Sequence, residues 1–435
     1  MSKRALYQKG LILMFIFGLT SACSDDEPAR PVSDDNGFGF ANENAENAEE
    51  PEEEVTLTYA RSYDATGATE QLIDEFEESH PNIRIDYTEM PSDTNEARKQ
   101  YIEVFTDDNK ELDVFEADMI WMEEFADERF VLNLDPYIEE HGISMNEFFD
   151  GAQDAAEYAD IQWAMPQTMD IGLLYYRSDI VDEPAETWED LLSDAEELAG
   201  EEETQYGYLF QAGRYEGLNV NALEIIRGYG GELIDEDGDV TADSEETIKA
   251  IEMLIELVNA DSTPENILDF DESHTHYAFI NGSAVFARNW PYMQSLTEEE
   301  YTKTAPLPAE SGESSAVLGG MMAMIYANTE YPDEAWTFLE FMTGEEGQKI
   351  NAEEGGRAPS RETLYEDSDV TEAVPLFADE DFVNTLEEAR PRFTGRSYHE
   401  TSENVQEELH AAVSGEQTAA ETSANLQEML EEIVD

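Results

Sequence analysis

The residues of this chain best suited to chemistry begin with Trp290-Pro291-Tyr292, which directly follow the apolar run Ala284-Val285-Phe286-Ala287. The run reads as a buried strand entered from the turn Asn281-Gly282. Pro291 cannot donate to a ladder and biases Trp290 away from helix. The strand therefore ends and at once presents an indole and a phenol. In open α/β sheets, ligands bind beyond the carboxyl ends of strands. Two aromatic faces in that place suit a ligand with flat apolar faces and polar edges, such as a sugar ring. The alternative is that both rings are core packing. Asp118 closes another predicted strand, and Asp170 opens a third. Carboxylates there accept hydroxyl protons, or, as a pair, could hydrolyse a glycoside if one were held protonated beside an ionised partner. Most acids of this chain belong to its surface, and composition alone places Asp118 with them. His274-x-His276 is the closest histidine pair, with no third ligand at helical spacing, so it does not build a metal site.

The elements that must position these residues can be read in order. Val55, Leu57 and Tyr59 alternate as a strand, and Leu72, Ile73 and Phe76 mark one face of a helix. Ile83, Ile85 and Tyr87 alternate again, a helix runs through Tyr101 to Phe105, and Leu112, Val114 and Phe115 form the strand closing at Asp118. This β-α-β-α-β order predicts a parallel sheet with helices on its faces. A second lobe starts near Asp170, with an apolar strand through Tyr176 and a helix opened by Thr187 as N-cap. Helices follow through Leu223 to Ile226 and Ile248 to Val258. Asp235 to Asp239 resembles a calcium loop, but its glycine comes fourth rather than sixth, so it reads as a hairpin turn. Gly319-Gly320 inside an apolar run marks a bend or a close backbone approach. Helices over Ala335 to Met342, Ser402 to Val413 and Thr418 to Ile433 complete the chain.

With 435 residues, 40% of them apolar, the chain is long enough for at least two domains. Its 104 acidic residues against 22 Lys and Arg give a net charge of −82. That excludes nucleic acid as a partner, because phosphate binding needs clustered cations. Aromatic and aliphatic residues recur throughout, which excludes disorder of the whole. A carboxylate-coated protein of a halophile, working in concentrated salt, is the expectation. Lys3, Arg4 and Lys9 precede the apolar stretch Leu11 to Leu19, too short to span a membrane. Thr20-Ser21-Ala22-Cys23 then resembles a bacterial lipobox. Residues 1–22 read as a lipoprotein signal peptide, with Cys23 as the lipidated residue and 23–54 as an acidic, disordered linker. Cleavage would remove three cations and no acid, taking the net charge to −85. One cysteine allows no disulfide within the chain.

Several segments in order carry a family resemblance: Asp113-Val-Phe-Glu-Ala-Asp-Met-Ile-Trp121, Asp170-Ile-Gly-Leu-Leu-Tyr-Tyr-Arg177, Arg288-Asn-Trp-Pro-Tyr292, Leu318-Gly-Gly320, Glu354-Gly-Gly-Arg-Ala-Pro359 and Ala389-Arg-Pro-Arg392. From about Val55 to Ile433 the chain resembles the family-1 extracellular solute-binding proteins, the sugar-binding lipoproteins of ABC importers. It is most similar to their trehalose/maltose-binding branch. The resemblance implies the type II periplasmic-binding-protein fold: two α/β lobes, each a mixed sheet flanked by helices, with a ligand cleft between. Residues 55–167, with about 318–380 returning, would form the N-terminal lobe; 168–317, with about 381–435, the C-terminal one. It implies that Asp118 and Asp170 accept from sugar hydroxyls, that Trp290 and Tyr292 stack on rings, and that Gly320 and Arg392 complete the polar edge. Arg98 and Asp64 lie where the family has further contacts. A monomer without cofactor is implied, lipid-anchored outside the cytoplasm and delivering sugar to permease subunits rather than catalysing a reaction. The glycosidase reading of Asp118 and Asp170 is the alternative. Two departures fall on the implied pocket: Met321 replaces a tryptophan after the double glycine, and Thr168 replaces a tyrosine two residues before Asp170.

Overall fold

The computed structural model describes residues 54–91, 93–107, 111–235, 238–297, 301–312, 315–393 and 398–434. Cys23, the signal peptide and nearly all of the linker lie outside the described residues.

In chain order the strands are β1 (Val55–Ser62), β2 (Ile83–Met90), β3 (Val114–Asp118), β4 (Glu157–Tyr158), β5 (Ile161–Gln162) and β6 (Met165–Pro166). They continue with β7 (Leu173–Arg177), β8 (Tyr206–Leu209), β9 (Ala284–Asn289), β10 (Thr302–Pro306), β11 (Val317–Leu318), β12 (Met321–Ile325) and β13 (Arg390–Pro391). The first sheet has the order β2-β1-β3-β12-β6. β1 runs parallel to β2, with Val55 beside Ile83, and parallel to β3; β12 runs antiparallel to β3 and β6. The β-α-β-α-β expectation thus holds for the first three strands. Its helices, Ala68–Ser79 and Thr94–Thr106, bury one face each. Ala68, Leu72 and Phe76 recur every fourth residue on the first, and Ala97, Tyr101 and Phe105 on the second. That spacing returns to one side of a helix and packs it on the sheet. Asp93 caps the second helix by accepting from the Glu96 N–H at 2.9 Å.

The second sheet has the order β10-β7-β9-β8, with β8 and β9 parallel and the other pairs antiparallel. Every residue of β9 is buried, as a central strand covered on both faces requires. Thr187 caps the helix Trp188–Leu198 through the Asp190 N–H. Ile234 bridges Val240, and the Asp239 N–H donates to the Asp235 side chain, so the described ends of this run close as a hairpin. The helices Glu216–Gly228, Glu245–Asn259, Tyr398–Val413 and Ala419–Val434 pack on one another beside this sheet.

The chain passes between the sheets along segments that lie side by side. Asp170 and Gly319 exchange backbone hydrogen bonds at 2.9 and 2.8 Å, and β11 pairs in parallel with β13. Gly320, at φ +145°, sits in this crossing. A Cβ there would stand 2.3 Å from the Thr168 carbonyl oxygen, so the close backbone approach admits glycine alone. Among the described residues, no helix is long and apolar enough to cross a membrane.

Candidate functional site

A cavity of about 210 Å³ opens where strands of both sheets end. Asp64 reaches it from the loop after β1, Asp118 from the end of β3, Asp170 and Gly320 from the crossing, and Trp290 and Tyr292 from the residues after β9. Arg392, just past β13, completes the expected set that the fold brings together. Asp64, Asp118, Trp290, Tyr292 and Arg392 lie at carboxyl ends of strands, where side chains can project without breaking a ladder.

Trp290 is held by charge and by backbone. The Arg288 guanidinium lies 3.9 Å from the centre of the indole, and the ring nitrogen donates to Glu272 at 3.3 Å. Arg288 is itself wholly buried and forks onto Glu224 at 3.0 and 2.5 Å, with a third bond to Gln211 at 3.2 Å. A bidentate pair of this kind fixes the cation's plane and so the ring above it. Gly172, in the segment after Asp170, makes room: a Cβ would stand 2.1 Å from a Glu224 oxygen. Tyr292 pairs its hydroxyl with His276 Nδ1 at 3.0 Å, and burial holds His276 below its usual pKa and therefore neutral. The two histidines do not act together, since His274 instead bonds Asp271 within a helix cap.

The acids differ in how they are satisfied. Asp64 accepts from the N–H and hydroxyl of both Thr66 and Thr69, at 2.6 to 2.9 Å. Burial alone would raise its pKa; the Thr66 bonds and the Arg61 and Arg357 charges outweigh it and hold Asp64 well below the usual carboxylate range. Asp118 accepts from Arg392 at 3.0 Å and from the Ile120 N–H at 3.2 Å, yet burial still leaves its pKa raised. Arg392 also donates to Glu216 at 2.9 Å, and Glu216 in turn accepts from the Tyr398 and Ser402 hydroxyls. Asp170 is different. Burial pushes its carboxyl up to about 6, against the pull of the nearby Arg357 charge. Its backbone is bonded to Gly319, while its carboxylate accepts no hydrogen bond among the described residues.

Arg98 does not join the others. Its guanidinium forks onto Glu124, from the short helix Met122–Asp127, and lies outside the lining of the cavity. Thr168 is also absent from the lining; it is buried behind the crossing, where its hydroxyl accepts from the Met321 N–H at 3.2 Å. Met321 does line the cavity. Trp121, Glu216, Glu272, His276 and Arg357 line it too and were not singled out as ligand contacts from the sequence. Trp121 and Arg357 sit in the segments quoted above, but nothing local shows which way they turn. Outside the cavity, Glu353, Asp367 and Asp369 converge, but Lys349 already pairs with all three. The cavity as a whole offers fixed acceptors, a few fixed donors and an aromatic platform, which is equipment for holding hydroxyls and ring faces.

Among known proteins, a "Probable ABC transporter-binding protein" of Deinococcus radiodurans is 33% identical over 258 residues, 55% of this chain and 61% of the relative. A maltotriose-binding protein of Pyrococcus abyssi is 23% identical over 282 residues, 63% of this chain and 59% of the relative. The chain thus spans less than two thirds of the length of these curated relatives. A solved structure described as maltose-bound T. maritima MalE3 superposes with a TM-score of 0.82 at 28% identity, covering 87% of this chain and 100% of that one. A Listeria monocytogenes substrate-binding protein in complex with cycloalternan, at 17% identity, shares the fold with a TM-score of 0.77 over 88% of this chain and 99% of its own. Both carry the two-lobe arrangement described here. The model of the bacterial extracellular solute-binding protein family matches residues 62–349, and with two mixed sheets meeting at a polar, aromatic cavity, this chain belongs to that family.

Proposed function

We propose that this protein captures a neutral sugar, a disaccharide such as maltose or trehalose, between its two lobes and delivers it to the permease of an ABC importer. One lobe comprises 55–167 and about 318–380, the other 168–317 and about 381–435. Asp64, Asp118 and Asp170 accept from hydroxyls, Trp290 and Tyr292 stack on ring faces, and Gly320 and Arg392 close the polar edge. The observation that carries this reading is the joint presence of Trp290, Tyr292 and these carboxylates in one cavity at strand ends from both sheets. The ligands of similar proteins, maltose and maltotriose, support it. The protein works as a monomer outside the cytoplasm, tethered by lipid on Cys23, in a salt-rich medium.

Calorimetry against a panel of mono- and disaccharides in molar salt, with product analysis of each mixture, tests the reading. Saturable binding with the sugar recovered intact is expected. Release of hydrolysis products, or no binding to any neutral sugar, overturns it. The anchor is tested by Cys23→Ala, which should move the protein from the membrane to the soluble fraction in cells lacking the importer. Continued membrane association would refute the lipid tether.

A further inference from the structure

We propose that Arg357 is a ligand-binding residue of the cavity, and that with Asp170 it selects a neutral, hydroxyl-rich solute over an anionic one. The inference deepens the sugar-binding reading and rests on it.

The argument begins with scarcity. The chain has 104 acidic residues and 22 Lys and Arg, so an arginine that meets no carboxylate needs a reason. The arginines around the cleft are committed. Arg392 bonds Asp118 and Glu216, Arg288 bonds Glu224, Arg98 bonds Glu124, and Arg61 lies 3.5 Å from Glu116. Arg357 lines the cavity, yet among the described residues no carboxylate bonds its guanidinium.

The fold places it there deliberately enough to measure. The helix Glu345–Gly355 ends at Gly356, which is left-handed at φ +59°. Gly356 donates to the Ala352 carbonyl at 3.0 Å, and the Arg357 N–H turns back to Asn351 at 3.3 Å. The backbone of Arg357 is therefore fixed at the negative end of a helix, where a cation is favoured. Its charge is felt by Asp64, Asp170 and Tyr292, which puts the guanidinium within electrostatic reach of all three.

Asp170 supplies the complement. It is an acceptor whose carboxylate takes no hydrogen bond from a described residue, in the same cavity as a donor that gives none to a carboxylate. A solute that satisfies both must donate and accept, as a hydroxyl does. An anion would meet Asp64, Asp118, Asp170, Glu216 and Glu272 against only Arg357 and Arg392. A neutral polyol avoids that penalty and fits the stacking rings beside these groups.

The test uses the mature protein in molar salt with maltose, trehalose and maltobionate, the last being maltose with its reducing end oxidised to a carboxylate. Arg357→Gln should weaken binding of the preferred disaccharide by about ten- to hundredfold, the loss expected for hydrogen bonds to a charged group. Its melting temperature should fall only slightly, because no ion pair is broken and only the cation's favourable place at the helix end and beside Asp64 is lost. Arg357→Lys should fall between the two in affinity. Maltobionate should bind the wild type at least about tenfold more weakly than maltose. Wild-type affinity in Arg357→Gln, or a lowered melting temperature with unchanged affinity of the folded fraction, overturns the role of Arg357 and leaves the sugar-binding reading standing. Tighter binding of maltobionate than of maltose overturns the selection of a neutral solute. Failure of the wild type to bind any neutral sugar overturns the underlying reading, and the inference falls with it.

Discussion

Trp290 is backed by a guanidinium as well as by the apolar cluster Val220, Leu223 and Val317, and this decides what its removal should do. The ring is half-buried: part rests on Arg288, part on Val220, Leu223 and Val317, and the rest faces the cavity. An aromatic anchor in a closed site carries about 2 kcal/mol or more, and about 1.4 kcal/mol is tenfold. Trp290→Ala should therefore weaken sugar binding more than tenfold, with a drop in melting temperature from the lost cation–π contact, about 0.5–2 kcal/mol, and from the lost packing on Val220, Leu223 and Val317. A large drop in melting temperature with unchanged affinity would instead mark the ring as core. Asp170 should show a pH signature. Its folded pKa of about 6 lies above the ordinary carboxylate value, so the folded state prefers the protonated acid. The stability this confers is present below about pH 4 and is lost as pH rises through about 6. Sugar affinity should run the other way, rising as the acceptor ionises. Asp170→Asn should flatten both trends, and melting curves and titrations at pH 4.5 to 7.5, about the window of that shift, would check it. An unchanged difference between the ends of that window would refute the assignment. Trp290 and Asp170 were legible because proline and strand patterns are local signals. Arg98 and Arg357 were not. Whether an arginine meets Glu124 or an open cavity is decided by a residue far along the chain, and spacing does not encode it.

At the scale of elements, Arg392 ties two of them together. Asp118 ends β3 of the first sheet, and Glu216 begins a helix packed beside the second. One guanidinium bonds both, at 3.0 and 2.9 Å, from a position next to the crossing strand β13. Asn95, on a first-sheet helix, adds a bond to Gln406 on a second-sheet helix at 3.1 Å. Separating the lobes must break these contacts. Arg392→Gln leaves Asp118 and Glu216 as buried acids without their cation, a cost that for broken buried pairs runs to about 3–5 kcal/mol. The ligand-free variant should therefore be more extended in solution scattering than wild type, and should bind sugar more weakly. An identical radius of gyration with and without sugar in both proteins would sink the idea of a bridging arginine. Much at this scale was readable from sequence: the first three strands, the Thr187 cap, the hairpin at Asp235 and the need for glycine at position 320. The pairing of β11 with β13 was not. Two-residue strands carry no periodicity, so the third crossing of the chain is visible only in tertiary contacts.

The whole molecule carries a net charge of −82, and its cations do little to offset that at the surface. Arg61, Arg288 and Arg392 are buried with acids of their own, which leaves the outer carboxylates facing one another. Their repulsion reaches about 10 Å at 0.1 M salt and about 3 Å at 1 M, and it works against a stability of only about 5–15 kcal/mol. The helical signal should therefore fall as salt is lowered from molar to about 0.1 M. Circular dichroism unchanged across that range would remove the argument for adaptation to salt. The interior should respond less, because buried pairs are screened far more weakly than exposed ones. Sugar then offers a separate handle. At about a hundred times Kd a ligand that binds only the folded state adds about 2.7 kcal/mol, so saturating sugar should move the midpoint of unfolding to lower salt. The shift should vanish in Trp290→Ala at the same sugar concentration, since that variant binds too weakly to draw on the linkage. A sugar that binds the folded protein yet leaves the midpoint where it was would show that loss of structure starts in helices not coupled to the cleft. The acid-rich terminal pair Tyr398–Val413 and Ala419–Val434 would be the first place to look.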